Sequence, residues 1–177
     1  SEIVELFYDN QGGEGLGNPC RVVSVKKHVK LGADGVILDV ISRMCSNPDD
    51  SAIIPQENVR ILTGMSNKDW ETELICKSPE FLKKSIFHHG KLKEAKLQDM
   101  KNGLIIIDEI DTASKENQIL QKVLREAGLF EWINLVNRNI YIVVISATMA
   151  KVLCELTGWG QAHQQYTMKV PDSYAGI

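Results

Sequence analysis

Two apolar runs dominate the second half of the chain, and each stops abruptly at small polar or acidic groups. The first, Leu104-Ile105-Ile106-Ile107, ends in Asp108-Glu109-Ile110-Asp111; the second, Ile142-Val143-Val144-Ile145, ends in Ser146-Ala147-Thr148. Unbroken branched runs suit strands buried on both faces of a parallel sheet, where polar and apolar positions need not alternate. Both are too apolar for an edge facing water, so they are expected as central strands. Helical spacing marks other stretches. Val36, Ile37, Val40, Ile41 and Met44 form a stripe closed by Asn47-Pro48, and Ile119, Leu120, Val123, Leu124 and Ala127 form another that stops near Gly128.

The same reading places core strands at Arg21 to Val25, Val59 to Leu62 and Ile86 to His88, with a last strand at Tyr166 to Val170. Helical pieces are expected at Lys68 to Cys76, Pro79 to Lys84, Leu92 to Met100, Trp132 to Val136 and Met149 to Leu156. Glu2 to Phe7 is a weak element before a glycine-rich turn region, Gly12 to Pro19, so residues 1–20 form a poorly defined N-terminal segment. Strands separated by helical patterns imply βαβ units. The expected architecture is one three-layer α/β domain with a mainly parallel sheet. A chain of 177 residues with 44% hydrophobic content is enough to bury one full core.

In such sheets ligands bind outside the carboxyl ends of the strands, where both polar clusters emerge. Side-by-side acids at a strand tip suit a nucleotide site. There Asp108 would hold Mg²⁺, directly or through water, and Glu109 would polarise the attacking water. Asp108-Glu109-Ile110-Asp111 resembles the Walker B, or DEAD-type, motif of superfamily 2 helicases, and Ser146-Ala147-Thr148 resembles their motif III. Ile61-Leu62-Thr63-Gly64-Met65-Ser66 and Val170-Pro171-Asp172-Ser173-Tyr174 are similar to segments of the helicase-like ATPases of large DNA viruses. The resemblance spans residues 22 to 177. It implies a first RecA-like domain of P-loop NTPase fold that binds ATP and Mg²⁺. Asp111, Ser146 and Thr148 would couple the nucleotide state to nucleic-acid binding. It also implies DNA or RNA backbone contacts from the loops at Thr63, Gly64, His89 and Lys91. A second RecA-like domain beyond the C-terminus would supply an arginine finger. The chain starts without Met and stops at Ile177, and is expected to be part of a longer protein.

The phosphate loop departs from the pattern. A P-loop needs glycines for close backbone approach, a Lys for the β/γ-phosphates and a Ser/Thr for Mg²⁺. The segment between the first strand and the first long helix is Val29-Lys30-Leu31-Gly32-Ala33-Asp34-Gly35-Val36. Gly32 matches the final glycine, Ala33 stands where the Lys belongs, and Asp34 stands where the Ser/Thr belongs. Lys30 could compensate only by reaching around the loop. A degenerate site, an altered sequence and a misplaced loop are all open readings, as is a plain tight turn from Gly32 to Gly35. Gln11-Gly12-Gly13-Glu14-Gly15-Leu16-Gly17 lacks the Lys-Ser/Thr ending and reads as a surface loop.

Net charge is −3, so no global field draws the protein to nucleic acid. Locally, seven Lys between Lys77 and Lys101 stand against Glu80, Glu94 and Asp99, a balance of +4. This stretch is read either as a phosphate-backbone surface or as a solvated face. Cys20, Cys45, Cys76 and Cys154 lack metal-type spacing and are expected as reduced thiols. There is no apolar run of membrane-spanning length and no signal peptide, so no membrane partner is expected. The expected compartment is cytoplasm or nucleus, with viral or virion association following from the resemblance. Three functions are carried forward: an ATP-dependent nucleic-acid motor domain, a catalytically degenerate relative serving as a binding or structural module, and an unrelated metal-dependent phosphohydrolase using Asp108, Glu109 and Asp111.

Overall fold

The structure, a computed structural model, describes residues 20–26, 34–45, 54–63, 80–87, 92, 94–108, 115–146 and 163–167. Its strands are β1 (Val22–Lys26), β2 (Val59–Thr63), β3 (Ile86–Phe87), β4 (Gly103–Asp108), β5 (Ile140–Ser146) and β6 (His163–Thr167). The α-helices among the described residues are α1 (Asp34–Cys45), α2 (Lys115–Glu126) and α3 (Trp132–Arg138). The strands form one six-stranded sheet in the order β3-β2-β4-β5-β1-β6. Every neighbouring pair is parallel. The two apolar runs are its central pair, β4 and β5, and Leu104 to Ile107 and Ile142 to Ile145 are fully buried.

Alternation along each strand divides the core in two. Val23, Val25, Ile61, Leu104, Ile106, Val143 and Ile145 pack with Ile37, Val40, Ile41 and Met44 of α1. Val22, Leu62, Ile105, Ile107, Ile142 and Val144 pack with Leu120, Leu124 and Ala127 of α2 and Leu135 of α3. Helices thus cover both faces. The path from β1 to β2 crosses the sheet one way, and that from β4 to β5 crosses it the other way. Right-handed crossovers running in opposite directions put their helices on opposite faces, as found.

Each helix follows its sequence pattern and ends for a local reason. In α1 the buried stripe opposes Asp39 and Arg43, which pair on the exposed side at 3.0 Å. Its C-terminal end lies by the start of β2, since the Ile54 N–H donates to the Met44 carbonyl at 3.2 Å. At the end of α2, Gly128 adopts φ +74°. Leu129 N–H then donates to Leu124 O, and Gly128 N–H to Arg125 O, both at 3.0 Å. This is a Schellman closure, with Leu129 and Leu124 buried against each other's side of the core.

Two expected elements differ. Leu92 to Met100 does not form an α-helix but a series of short 3-10 turns, although Leu92, Ala95, Leu97 and Met100 are buried as the spacing implied. Lys96 in the left-handed region, φ 52°, breaks any helical run there. The last strand lies at His163–Thr167 rather than from Tyr166 onward. It is an edge strand bonded only to β1, and a polar run suits that position. Pro79 to Lys84 is replaced by a 3-10 stretch, Glu80–Ser85. The elements expected at Glu2 to Phe7, Lys68 to Cys76 and Met149 to Leu156 lie outside the described residues.

The amino rim of the sheet is stitched by polar side chains. Arg138 donates to Met100 O (2.9 Å), Ala127 O (2.8 Å), Leu97 O (2.6 Å) and Gln98 O (3.1 Å), tying the turn before β4 to the end of α2. Asn139, itself left-handed, accepts from Arg21 Nη1 at 2.8 Å and donates to Asn102 Oδ1 at 3.1 Å. The Arg21 guanidinium is buried and lies 4.4 Å from the Tyr141 ring centroid. Gly103, where β4 begins, has no room for a Cβ, which would collide with the Met100 side chain. Arg138→Ala is therefore expected to cost about 2–4 kcal/mol, because several carbonyls lose a charged donor at once. The urea midpoint should fall with an unchanged slope, and Arg138→Lys should recover little, since an ammonium cannot fork.

Candidate functional site

The carboxyl rim brings together what the sequence separates. Asp108 closes β4, paired in register with Thr63 at the end of β2 and with Ile145 on β5. Ser146 closes β5 one position further and pairs with Lys26, the last residue of β1, which also pairs with Thr167 at the end of β6. Read across the sheet, the strand-terminal residues from β2 to β6 are Thr63, Asp108, Ser146, Lys26 and Thr167. Adjacent strands lie ~4.8 Å apart, so this polar row is continuous.

Asp108 is 3% exposed. By alternation from Leu104 and Ile106, it falls on the sheet face that α1 covers. The C-terminal end of α1 is tied to the amino side of β2, so its first residues, Asp34 and Gly35, lie toward the carboxyl rim. The chain leaves β1 to one face through α1 and leaves β4 to the other through α2. Connections diverging in this way open a crevice at the strand tips, here above β5, where open α/β sheets take their ligands. The carboxylate is not idle in the fold, since Asp108 has an interacting partner there.

Of the expected site residues, Thr63, Asp108 and Ser146 are side by side, and Asp34 and Gly35 begin α1. Lys30, Gly32, Ala33, Gly64, His89, Lys91, Glu109, Asp111 and Thr148 lie outside the described residues. Lys26 and Thr167 were missed by sequence reasoning. The usable signal was the one that marked Asp108: Lys26 terminates an apolar run, Val22-Val23-Ser24-Val25.

The lysine-rich stretch does not form one surface. Lys83 and Lys84 precede β3, and Lys96 and Lys101 precede β4, so these exposed lysines lie at the amino rim, away from Asp108. They are interspersed with Glu80, which pairs with Lys83 at 3.0 Å, and with Glu94 and Asp99. For these four the solvated-face reading holds.

The described cysteines are poor nucleophiles. Burial pushes the Cys20 and Cys45 thiols up to about 11, leaving little thiolate at neutral pH. Among the described residues no helix is long and apolar enough to cross a membrane.

No protein-family model matches the chain, and comparison with curated proteins finds no match.

Proposed function

We propose that this domain is the RecA-like, ATP-binding first domain of a superfamily 2 type DNA or RNA helicase or translocase, in which ATP hydrolysis is coupled to nucleic-acid binding. The observation that carries the reading is the placement of Asp108. It is a buried carboxylate at the tip of a central parallel strand, on the face covered by the helix that follows β1, with Ser146 of the motif III-like triplet on the adjoining strand. A carboxylate is the hard oxygen donor that Mg²⁺ takes, so the residue fits the metal that ATP would bring. Asp108 would hold that ion, and Glu109 would act on water. Ser146, Thr148 and Asp111 would report the nucleotide state to loops carrying Thr63, Gly64, His89 and Lys91. A second RecA-like domain would close the cleft and complete the motor.

One observation favours the degenerate module. Asp34 is the first residue of α1. An acid there complements the helix dipole by about 0.3–1 kcal/mol, a structural reason for a residue that would repel a triphosphate. Titrating ATP into the folded protein with and without Mg²⁺ separates the readings. Binding that requires Mg²⁺ supports the motor domain, and no binding supports the module. Turnover of simple phosphoesters without nucleotide preference would overturn both.

A further inference from the structure

Sequence reasoning left the proposed site without a cation for the phosphates, since Ala33 stands where a lysine is needed. The topology supplies one from elsewhere. Among the residues that close the six strands, Lys26 is the cation and Asp108 the anion, and only β5 separates their strands. Val25 pairs with Ile145, which pairs with Asp108, so Lys26 and Ser146 stand one residue beyond the Asp108 level on the same rim. Two strand spacings amount to about 10 Å, a separation that a metal-bound phosphate chain bridges. Hydroxyl residues flank Lys26 in register on both sides, Ser146 on β5 and Thr167 on β6. Cation and hydroxyls together are the donors that phosphate oxygens take.

We infer that Lys26 is the phosphate-binding cation of this domain, taking the place of the absent loop lysine, with the polyphosphate laid along the rim from a metal at Asp108 toward Lys26. This rests on the nucleotide-site reading above and names the group that holds its substrate. It also explains why an acid at Asp34 is tolerable, because the phosphates are drawn toward β1 rather than onto the first turn of α1.

The test is titration of Mg-ATP, and of inorganic tripolyphosphate with Mg²⁺, into the wild type and the Lys26→Gln, Lys26→Arg and Lys30→Gln variants, with thermal midpoints checking that each is folded. Weak but measurable wild-type binding is expected for both probes. Lys26→Gln should lose tenfold or more for both, Lys26→Arg should keep most of the affinity, and Lys30→Gln should change little. Unchanged affinity in Lys26→Gln, or a loss confined to Lys30→Gln, overturns the assignment while leaving the nucleotide site standing. A folded wild type that binds neither probe overturns both.

Discussion

Glu109→Gln is expected to slow ATP hydrolysis by about 10²-fold or more while leaving nucleotide affinity nearly intact, the magnitude typical of losing a general base. Asp108→Ala should do the reverse in kind, weakening Mg-ATP binding by more than tenfold and abolishing its dependence on Mg²⁺. The two acids are adjacent in sequence but differ in task. Asp108 is the last residue of β4 and is held in the sheet at 3% exposure, which suits a fixed metal contact. A buried position also means that Asp108→Ala removes packing, so Asp108→Asn is the companion variant. It keeps the volume and removes the charge, and it should show the same loss of Mg²⁺ dependence with a smaller change in stability. Single-turnover hydrolysis and equilibrium titration read the two effects separately. Equal, small effects at both positions would sink the assigned roles.

Ala33→Lys combined with Asp34→Thr should raise ATP affinity by more than tenfold over the wild type. The change places a positive and a neutral group where neutral and negative ones stand, and a charged contact to phosphate contributes about 1.5–3 kcal/mol. The helix itself should tolerate the change, since Thr is a good residue at a helix start and forfeits only a few tenths to 1 kcal/mol of dipole interaction. Calorimetric titration of the wild type and the double variant decides it. Micromolar binding by the wild type would mean that another segment cradles the phosphates. A folded double variant that still fails to bind would favour the structural module.

The central strands, the stripe of α1 and the close of α2 were legible because burial on both faces, helical spacing and a C-terminal glycine each leave a mark in composition. Leu92 to Met100 misled because burial at near-helical spacing needs no helix, and the left-handed Lys96 has no sequence signature. The end of β6 was misplaced because an edge strand lacks the apolar pattern that marks its neighbours. In the site, Asp108 and Ser146 announced themselves by closing apolar runs. Their adjacency to Lys26 and Thr167 did not, because it depends on strand order and register, properties of pairing between segments far apart in the chain.

The network around Arg138, Asn139, Asn102 and Arg21 shares no residue with the rim that carries Asp108, Ser146 and Lys26. Foldedness and chemistry are therefore under separate control in this molecule. Substitutions can accumulate at one end of the strands, and an ATPase can fall silent by drift, without exposing the core to proteolysis or aggregation. A copy that had lost its reaction would persist in the cell as a soluble, well-shaped body, free to be recruited for whatever its surface happens to fit.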